Sequence, residues 1–438
     1  MGRPLDRAYG RVSLTVGVMR PLTAVLFGVS ILLLGGAVAF GAGFFGGGTS
    51  STDAGLDPLW VSDTGRESLG NHHAVAAGRV DGRGVVFVPI SGRADTTQCD
   101  LVAFDATNGK RLWNYPIPPA NCTIHAVADP TIGDYDGDGT TEVFAATTEQ
   151  AVLGFDATTG EPVFRHNLTS YGYTQPLVTD LIGDQEQEVI VVDVKGTVFV
   201  LGSNGSTVWR RQLGAYTWGQ PAVADFDGDG GNELVVGLGG SGGLYLLEAD
   251  GAVQWNRTKA INSSITWMST GQADDDPAVE IVIATVGGKV TVVDGKTGAV
   301  QWQRDFGSFA AVHAFGDGDG DSEPEIYAVA RDGMLRSLRA ADGETEWETT
   351  LTTEDVQMTP PPSLGDVDGD GRPELVAVTN TGVVALVDPR TGEVIDSYRR
   401  DVPIWVHPTL ADIDADDVPE VFITYGDARV VALSGAGR

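Results

Sequence analysis

Residues 134–142, DYDGDGTTE, run straight into the apolar segment VFAA at 143–146. The same spacing of acids and glycines, closed by Glu and followed by apolar residues, returns along the chain. Its closing Glu falls at 142, 188, 233, 280, 325, 374 and 420, a period of 45 to 49 residues, and a degenerate eighth copy is VDGRGVVFVPI at 80–90. Behind the Glu comes a second short apolar run ending in a turn, as in LVAFDATNGK (101–110), VLGFDATTGE (152–161), VTVVDGKTGA (290–299) and VVALVDPRTGE (383–393). An aromatic residue follows, at Trp113, Phe164, Trp209, Trp255, Trp302, Trp347 and Tyr398. Each unit therefore supplies four short strands, β-branched and aromatic-rich, punctuated by Asp-Gly and Thr-Gly turns and without a helical period.

Eight such units predict an all-β, eight-bladed β-propeller over residues 57–438. First strands are expected to start near 73, 124, 174, 219, 264, 309, 358 and 404. The eighth unit ends with the apolar run at 429–433 and lacks its fourth strand. Trp60, in LWVSDTG before the first unit, carries that missing pattern. The strand around it is expected to close the last blade and abolish an unpaired edge.

The 438 residues carry 60 Asp and Glu against 28 Lys and Arg, a formal charge of -32. Contacts to backbone phosphates would oppose that field, so nucleic acid is excluded as the default partner. An apolar fraction of 42% with 9 Trp and 15 Phe is ample for a packed core and excludes an acidic disordered chain. Acid spread through a packed chain with only 5 Lys suits a very salty milieu, where concentrated salt screens self-repulsion. The 59 Gly, without a Gly-X-Y period, indicate many tight turns.

Residues 21–45, PLTAVLFGVSILLLGGAVAFGAGFF, form an uncharged, mostly apolar run long enough for one transmembrane helix. Arg3, Arg7, Arg11 and Arg20 precede it and the first charge after it is Asp53. The basic-inside bias places residues 1–20 in the cytoplasm, and the linker 46–56 and the propeller outside the cell membrane. A cleaved signal peptide ending near Ala37-Val38-Ala39 is the competing reading. Export fits the two cysteines, Cys99 and Cys122, and the five N-x-S/T sequons at Asn121, Asn167, Asn204, Asn256 and Asn262.

The acidic loops suit a hard cation. At positions 1, 3, 5, 7 and 9 the first offers Asp134, Asp136, Asp138, the carbonyl of Thr140, and Glu142. Alternating oxygen donors on a glycine-rich turn favour calcium over a soft metal. Four more loops keep every acidic position: Asp225/Asp227/Asp229/Glu233, Asp317/Asp319/Asp321/Glu325, Asp366/Asp368/Asp370/Glu374 and Asp412/Asp414/Asp416/Glu420. About five structural calcium ions are therefore expected, each relieving the repulsion of crowded carboxylates. The loop at 180–188 has Ile182 at position 3 and that at 272–280 has Gln272 at position 1, so weak or no binding is expected there.

Strand order assigns the loops to faces. Loops joining first to second strands share a face with those joining third to fourth strands; the remaining connections lie opposite. Cys99 and Cys122 both fall on the face opposite the acidic loops, where a bond would staple the first blade to the second. That face also collects Tyr171, Tyr173, Gln175, Tyr216, Trp218, Gln220, Trp267, Met268, His313, Trp405 and His407 near the starts of the first strands. Tyr173, Trp218, Trp267 and Trp405 are the candidates for a partner-binding face. His125, His313 and His407 differ in register and are expected to be separate structural histidines.

The element L-x-x-x-D-x-x-T-G-x-x-x-W, matched around 105–113, 294–302 and 342–347, resembles the repeat of quinoprotein-like (PQQ-like) eight-bladed propellers. The acidic loop is similar to the calcium-loop repeat of integrin-alpha-like FG-GAP/VCBS propellers. With its anchor and charge, the chain resembles haloarchaeal-type membrane-anchored surface proteins. The quinoprotein resemblance implies pyrroloquinoline quinone (PQQ) over calcium, usually with adjacent cysteines, a stacking Trp and a catalytic Asp. This chain has no Cys-Cys pair, its loop acids sit away from the channel mouth, and its short blades leave no insertions for a pocket, so PQQ is not expected. Nor does it show a nucleophile–base constellation or a zinc-type spacing among its 6 His. The expected function is a membrane-anchored, extracellular, calcium-binding scaffold for recognition, adhesion or envelope assembly, with a protein or glycan partner and no enzymatic activity. The alternatives are a PQQ-dependent oxidoreductase and a purely structural envelope protein.

Overall fold

The computed structural model describes residues 55–435, except Ser68 and Asp275. The expected cytoplasmic segment 1–20, the anchor at 21–45 and linker residues 46–54 lie outside the described residues. No helix among the described residues is long and apolar enough to cross a membrane.

Eight four-stranded antiparallel sheets form an all-β, eight-bladed propeller. The first blade comprises Ala76–Val80, Arg83–Ile90, Asp100–Asp105 and Arg111–Pro116. In the seven blades that follow, the loop Glu is the first residue of the second strand: Glu142–Thr147, Glu188–Val192, Glu233–Gly237, Glu280–Thr285, Glu325–Val329, Glu374–Val378 and Glu420–Thr424. These second strands are buried along their whole length, because a neighbouring blade covers each face, which is why they read as continuous apolar runs. The fourth strands, such as Thr345–Thr350, are largely exposed.

The eighth sheet contains Thr409–Ala411, Glu420–Thr424, Val430–Ser434 and, as its outermost strand, Asp57–Val61. Asp57 pairs with Ser434 and Trp60 with Ala432.

First strands begin later than the sequence pattern suggests in most blades, and proline explains where. Pro130, Pro176, Pro221, Pro362 and Pro408 each stand immediately before a first strand, and all five of those strands are three residues long. A proline has no N–H to give to the ladder. The fifth and sixth blades lack it, and their first strands, Ile265–Gly271 and Ala311–Gly316, run seven and six residues.

Tryptophan links successive blades. The indole N–H of Trp60 donates to the Ala106 carbonyl (2.6 Å), that of Trp113 to Ala157 (3.0 Å), Trp209 to Ala249 (2.7 Å), Trp255 to Gly295 (2.7 Å), Trp302 to Ala340 (2.6 Å) and Trp347 to Pro389 (2.7 Å). Each bond runs from a fourth strand to the turn before the fourth strand of the next blade. The indole lies across the glycine of that turn. At Gly160 a Cβ would sit 2.6 Å from Trp113 Cδ2, and its φ of +76° disfavours any other residue. Because Trp60 of the eighth sheet docks on the first blade, the ring is sealed by the same contact that holds five of its other seven junctions; Phe164 and Tyr398 hold the place of Trp in the second and seventh blades.

Candidate functional site

The segments joining each fourth strand to the next first strand converge on a cavity of about 320 Å³ at one end of the central channel. His72 and His73 come from the connection into the first blade, His125 and Asp129 from the next, then Tyr173, Trp218 and, much later in the chain, Trp405; Trp267 lies on Ile265–Gly271. Asp129, Gln220 and Trp267 also line an adjoining cavity of about 550 Å³ that extends to His313 and His407. All four aromatic residues singled out from the sequence thus line one cavity. Trp218, Trp267 and Trp405 are half-buried and present surface to it. Tyr173 is only 7% exposed. It packs edge-on against His73 and His125 at 5.3 and 5.2 Å and so forms wall rather than contact surface.

The histidines group differently from the sequence expectation. His313 and His407 stack with ring centroids 4.0 Å apart, whereas His125 meets His72 and His73. His72 and His73 stand four and three residues before the first strand Ala76–Val80, and His125 six before Thr131–Gly133, so their side chains reach the axis from the adjacent connections into the first two blades. The expectation of separate structural histidines passes over the His72-His73 pair, whose only signal in the sequence is its place in the connection before the first blade.

Hydrogen bonds fix this cluster. His72 Nδ1 lies 2.6 Å from the Gly70 carbonyl oxygen, and His125 Nδ1 lies 2.9 Å from His72 Nε2. His73 Nδ1 lies 2.7 Å from Asp129 Oδ1, which also accepts the Ala74 N–H at 3.0 Å. Gln220 Nε2 donates to the other carboxylate oxygen at 2.8 Å, and Gln220 Oε1 accepts the Gln175 N–H at 2.6 Å. Burial, reinforced by His73, lowers the pKa of His72 to about 3 and that of His125 to about 4, so both rings are neutral at physiological pH. Burial also works against the Asp129 carboxylate, but the hydrogen bonds it accepts, from His73 first and then from the Ala74 N–H, help hold the group below the usual range.

The acidic loops lie on the opposite face. In the loop at 134–142, Asp134 accepts the N–H groups of Gly137 (2.8 Å) and Gly139 (3.0 Å), and Asp138 accepts that of Thr140 (2.7 Å). Asp225, Asp317, Asp366 and Asp412 bind their turns in the same way as Asp134. The buried Glu accepts the N–H at position 2 of its own loop, as Glu233 does from Phe226 (2.8 Å) and Glu374 from Val367 (3.0 Å). Glu188 and Glu280 keep that bond in the two degraded loops, so the Glu has a structural task independent of any ion. Carboxylate oxygens converge within 4.8 Å in the sets Asp134/Asp136/Glu142, Asp225/Asp227/Asp229/Glu233 and Asp317/Asp319/Glu325. They also do so in Asp274/Asp276/Glu280, the loop where the absence of Asp at position 1 predicts a weakened site.

Three of the complete loops differ at position 5: the loop at 225–233 brings all four acids together, whereas those at 134–142 and 317–325 bring together only positions 1, 3 and 9. Asp138 and Asp321 stand outside the convergent sets of their own loops. Asp321 accepts the Glu323 N–H at 2.8 Å, as Asp138 does that of Thr140, and both are exposed, a placement that like-charge repulsion favours. Asp370 and Asp416 are likewise exposed, each with one oxygen given to the turn, Asp370 to the Arg372 N–H (2.9 Å) and Asp416 to the Val418 N–H (3.0 Å). Asp414, the position 3 acid of the last loop, is also exposed, and its own N–H is held by Asp412 at 3.2 Å. Of the position 5 acids, Asp229 binds its turn through Gly231 (2.8 Å) and still reaches its set, so the turn bond leaves the second oxygen usable. Desolvation is the main cause that raises the buried glutamates, with repulsion from neighbouring Asp side chains added to it. Glu142, Glu233, Glu280 and Glu325 rise to about 7 and Glu374 to about 8. Any hard cation would relieve that repulsion.

Cys99 and Cys122 are disulfide-bonded, with Cα atoms 5.4 Å apart. The bond ties the first blade to the connection that carries His125, three residues beyond Cys122. Of the five sequon asparagines, Asn167, Asn204, Asn256 and Asn262 are exposed, whereas the Asn121 amide donates to the Thr148 carbonyl at 3.1 Å. The channel residues do not fit PQQ. Neither cavity lining includes a Lys or Arg to hold a tricarboxylate, and the two cysteines are 23 residues apart.

The family model described as "Outer membrane protein assembly factor BamB" matches residues 52–182, 181–321 and 280–438. The chain belongs to this family. No curated protein sequence matches it. Among solved structures it is similar to BamB from Moraxella catarrhalis, with TM-score 0.57 and 15% identity over 86% of this chain and 99% of that one. It is also similar to the computationally designed protein Ika8, with TM-score 0.61, 15% identity and the same coverage. At these identities the structural likeness speaks for the fold.

Proposed function

We propose that this family member is a non-catalytic, membrane-anchored scaffold of the cell envelope, holding a protein partner at the channel mouth. The observation that carries the reading is the convergence of Trp218, Trp267 and Trp405, from three separate parts of the chain, on one cavity opposite the acidic loops. Half-buried tryptophans around a concavity are the usual anchors of protein interfaces. Membership in a family named for outer-membrane protein assembly supports assembly over adhesion or glycan recognition. Calcium in about five of the acidic loops ties first to second strands on the far face and stiffens the ring; the hydrogen-bonded turns and their crowded carboxylates support this. On binding, the exposed acids Asp138 and Asp321 complete the coordination by rotating inward. The apolar run at 21–45 provides the anchor with the propeller outside, and the formal charge of -32 suits a very salty milieu.

The test is affinity capture from intact membranes with the full-length chain, comparing the natural protein with Trp218→Ala/Trp405→Ala at equal folded content. A specific protein should co-purify with the natural chain, and its recovery should fall at least tenfold with the double variant, as expected for two interface anchors of about 1 kcal/mol or more each. Undiminished recovery of every partner would sink the channel-mouth reading. Repeating the capture with a calcium chelator separates the role of the loops from that of the aromatic face.

A further inference from the structure

One ring nitrogen from each of His72, His73 and His125 lies within 4.8 Å of the other two. We propose that these three histidines bind one divalent transition cation of the zinc class at the mouth of the channel, a site separate from the acidic loops.

The strongest evidence is at His73. Its residue is 4% exposed, and its Nε2 has no hydrogen-bond partner. Buried polar atoms are nearly always paired, so an orphan of this kind calls for a ligand. Its other nitrogen faces the Asp129 carboxylate at 2.7 Å, an acceptor, so Nδ1 carries the hydrogen and Nε2 points its lone pair away. A carboxylate behind an imidazole is the arrangement that orients metal-bound histidine and raises its basicity. Asp129 is itself fixed by the Ala74 N–H and the Gln220 amide.

His72 is prepared in the same sense. The Gly70 carbonyl takes its Nδ1 hydrogen, leaving Nε2 as a donor to metal. Without an ion, that lone pair accepts from His125 Nδ1 at 2.9 Å. Coordination replaces this hydrogen bond with two bonds to the cation, and the His125 hydrogen moves to its own Nε2; no electron changes hands. Three imidazole nitrogens select zinc, copper, nickel or cobalt, whereas calcium takes oxygen. Three protein donors leave a tetrahedral ion one open position, and the surrounding cavity gives an exogenous donor access to it. The Cys99–Cys122 bond holds the segment bearing His125 in place.

The test uses the full-length protein in excess calcium, which saturates the carboxylate loops. Cobalt titration should give one equivalent per chain with the intense visible bands of a four-coordinate nitrogen site, and one equivalent of zinc should abolish them. Pulsed EPR of the copper-loaded protein should resolve imidazole nitrogen couplings. His73→Ala and His125→Ala should each remove the stoichiometric cobalt bands, Asp129→Asn should weaken affinity roughly 10–100-fold, and His313→Ala should leave both unchanged. Absence of the bands from the natural protein, copper spectra showing oxygen donors alone, or bands that persist in the His73 and His125 variants would overturn the proposal. The first two readings need no variant, so a misfolded substitution cannot rescue it.

Discussion

Trp302 offers a direct measure of what joins the blades. It is 7% exposed, donates to the Ala340 carbonyl at 2.6 Å and lies across Gly343 of the next blade. A Cβ on Gly343 would approach Trp302 Cε3 to 2.6 Å, and the residue has φ +70°. Gly307 has φ +92° with no atom within 4 Å of a Cβ. Gly343→Ala and Gly307→Ala therefore share the left-handed backbone penalty of about 1–2 kcal/mol. Stiffening of the unfolded chain offsets about 0.4–1 kcal/mol of it. Gly307→Ala should destabilise by about 1 kcal/mol net on those terms. Only Gly343→Ala also lifts the indole off its seat. Complete loss of a buried Trp is worth about 3–5 kcal/mol, so forfeiting roughly half adds about 2 and brings the total to about 3. In a Trp302→Ala background the penalty for Gly343→Ala should fall back to about 1 kcal/mol, a coupling of about 2. Denaturant midpoints followed by far-UV circular dichroism, at fixed salt and calcium, read all four variants. Equal penalties for the two glycines, or no relief in the Trp302→Ala background, would refute the docking account.

Stability without cations should depend on pH in a set direction. Five of the seven buried loop glutamates, Glu142, Glu233, Glu280, Glu325 and Glu374, have folded pKa values of about 7 to 8 against 4.5 for the free side chain, so the folded chain binds more protons across that window. The chelated protein should thus lose stability as pH rises from about 4.5 to about 8, and saturating calcium should flatten the trend; a melting temperature that climbs with pH under chelation contradicts this. Ala415 and Asp417 occupy left-handed backbone, φ 68° and 66°, where the matching positions of the 134–142 loop are Gly137 and Gly139. Ala415→Gly should therefore stabilise by about 0.5–1 kcal/mol in thermal unfolding, whereas Gly137→Ala should do the reverse. Replacing both Cys99 and Cys122 with Ala opens a loop of 23 residues and should cost about 3 kcal/mol. Hydrogen exchange should then report faster opening of the segment carrying His125, and unchanged exchange there would count against the link.

The fold was legible because a propeller repeats its chemistry: a Glu opening seven of the eight second strands and an aromatic on each fourth strand can be counted along a line of text. The starts of the first strands are placed too early by the pattern of apolar residues, which does not register that a proline has no N–H for the ladder. The histidine site was harder. His72 and His73 stand about one repeat before His125, at positions that do not correspond in the two repeats, and only the ring brings the connections of neighbouring blades to one axis. Tyr173 shows the converse: an aromatic in the right connection, whose burial depends on packing against histidines contributed by two other connections. The role of the loop Glu as a backbone acceptor was masked by its other reading as an ion ligand, since one carboxylate serves both. Asp321 and Asp370 hide the same ambiguity, because an Asp two residues before a free N–H suits a turn as well as it suits a cation.

The pairing of Asp57–Val61 with Val430–Ser434 also sets a timetable for biosynthesis. A ribosome adding roughly 5–20 residues per second needs about 20–75 s to travel from the first of these strands to the second. Throughout that interval the early strand has no partner, and the growing stack of blades has an open end rich in apolar side chains. The last blade cannot be completed by local zippering; it must wait for its first-made piece to be recovered. Folding of this chain is therefore exposed to interception by chaperones and proteases until its final strand emerges, and the same dependence means that a prematurely ended product leaves its incompleteness on display.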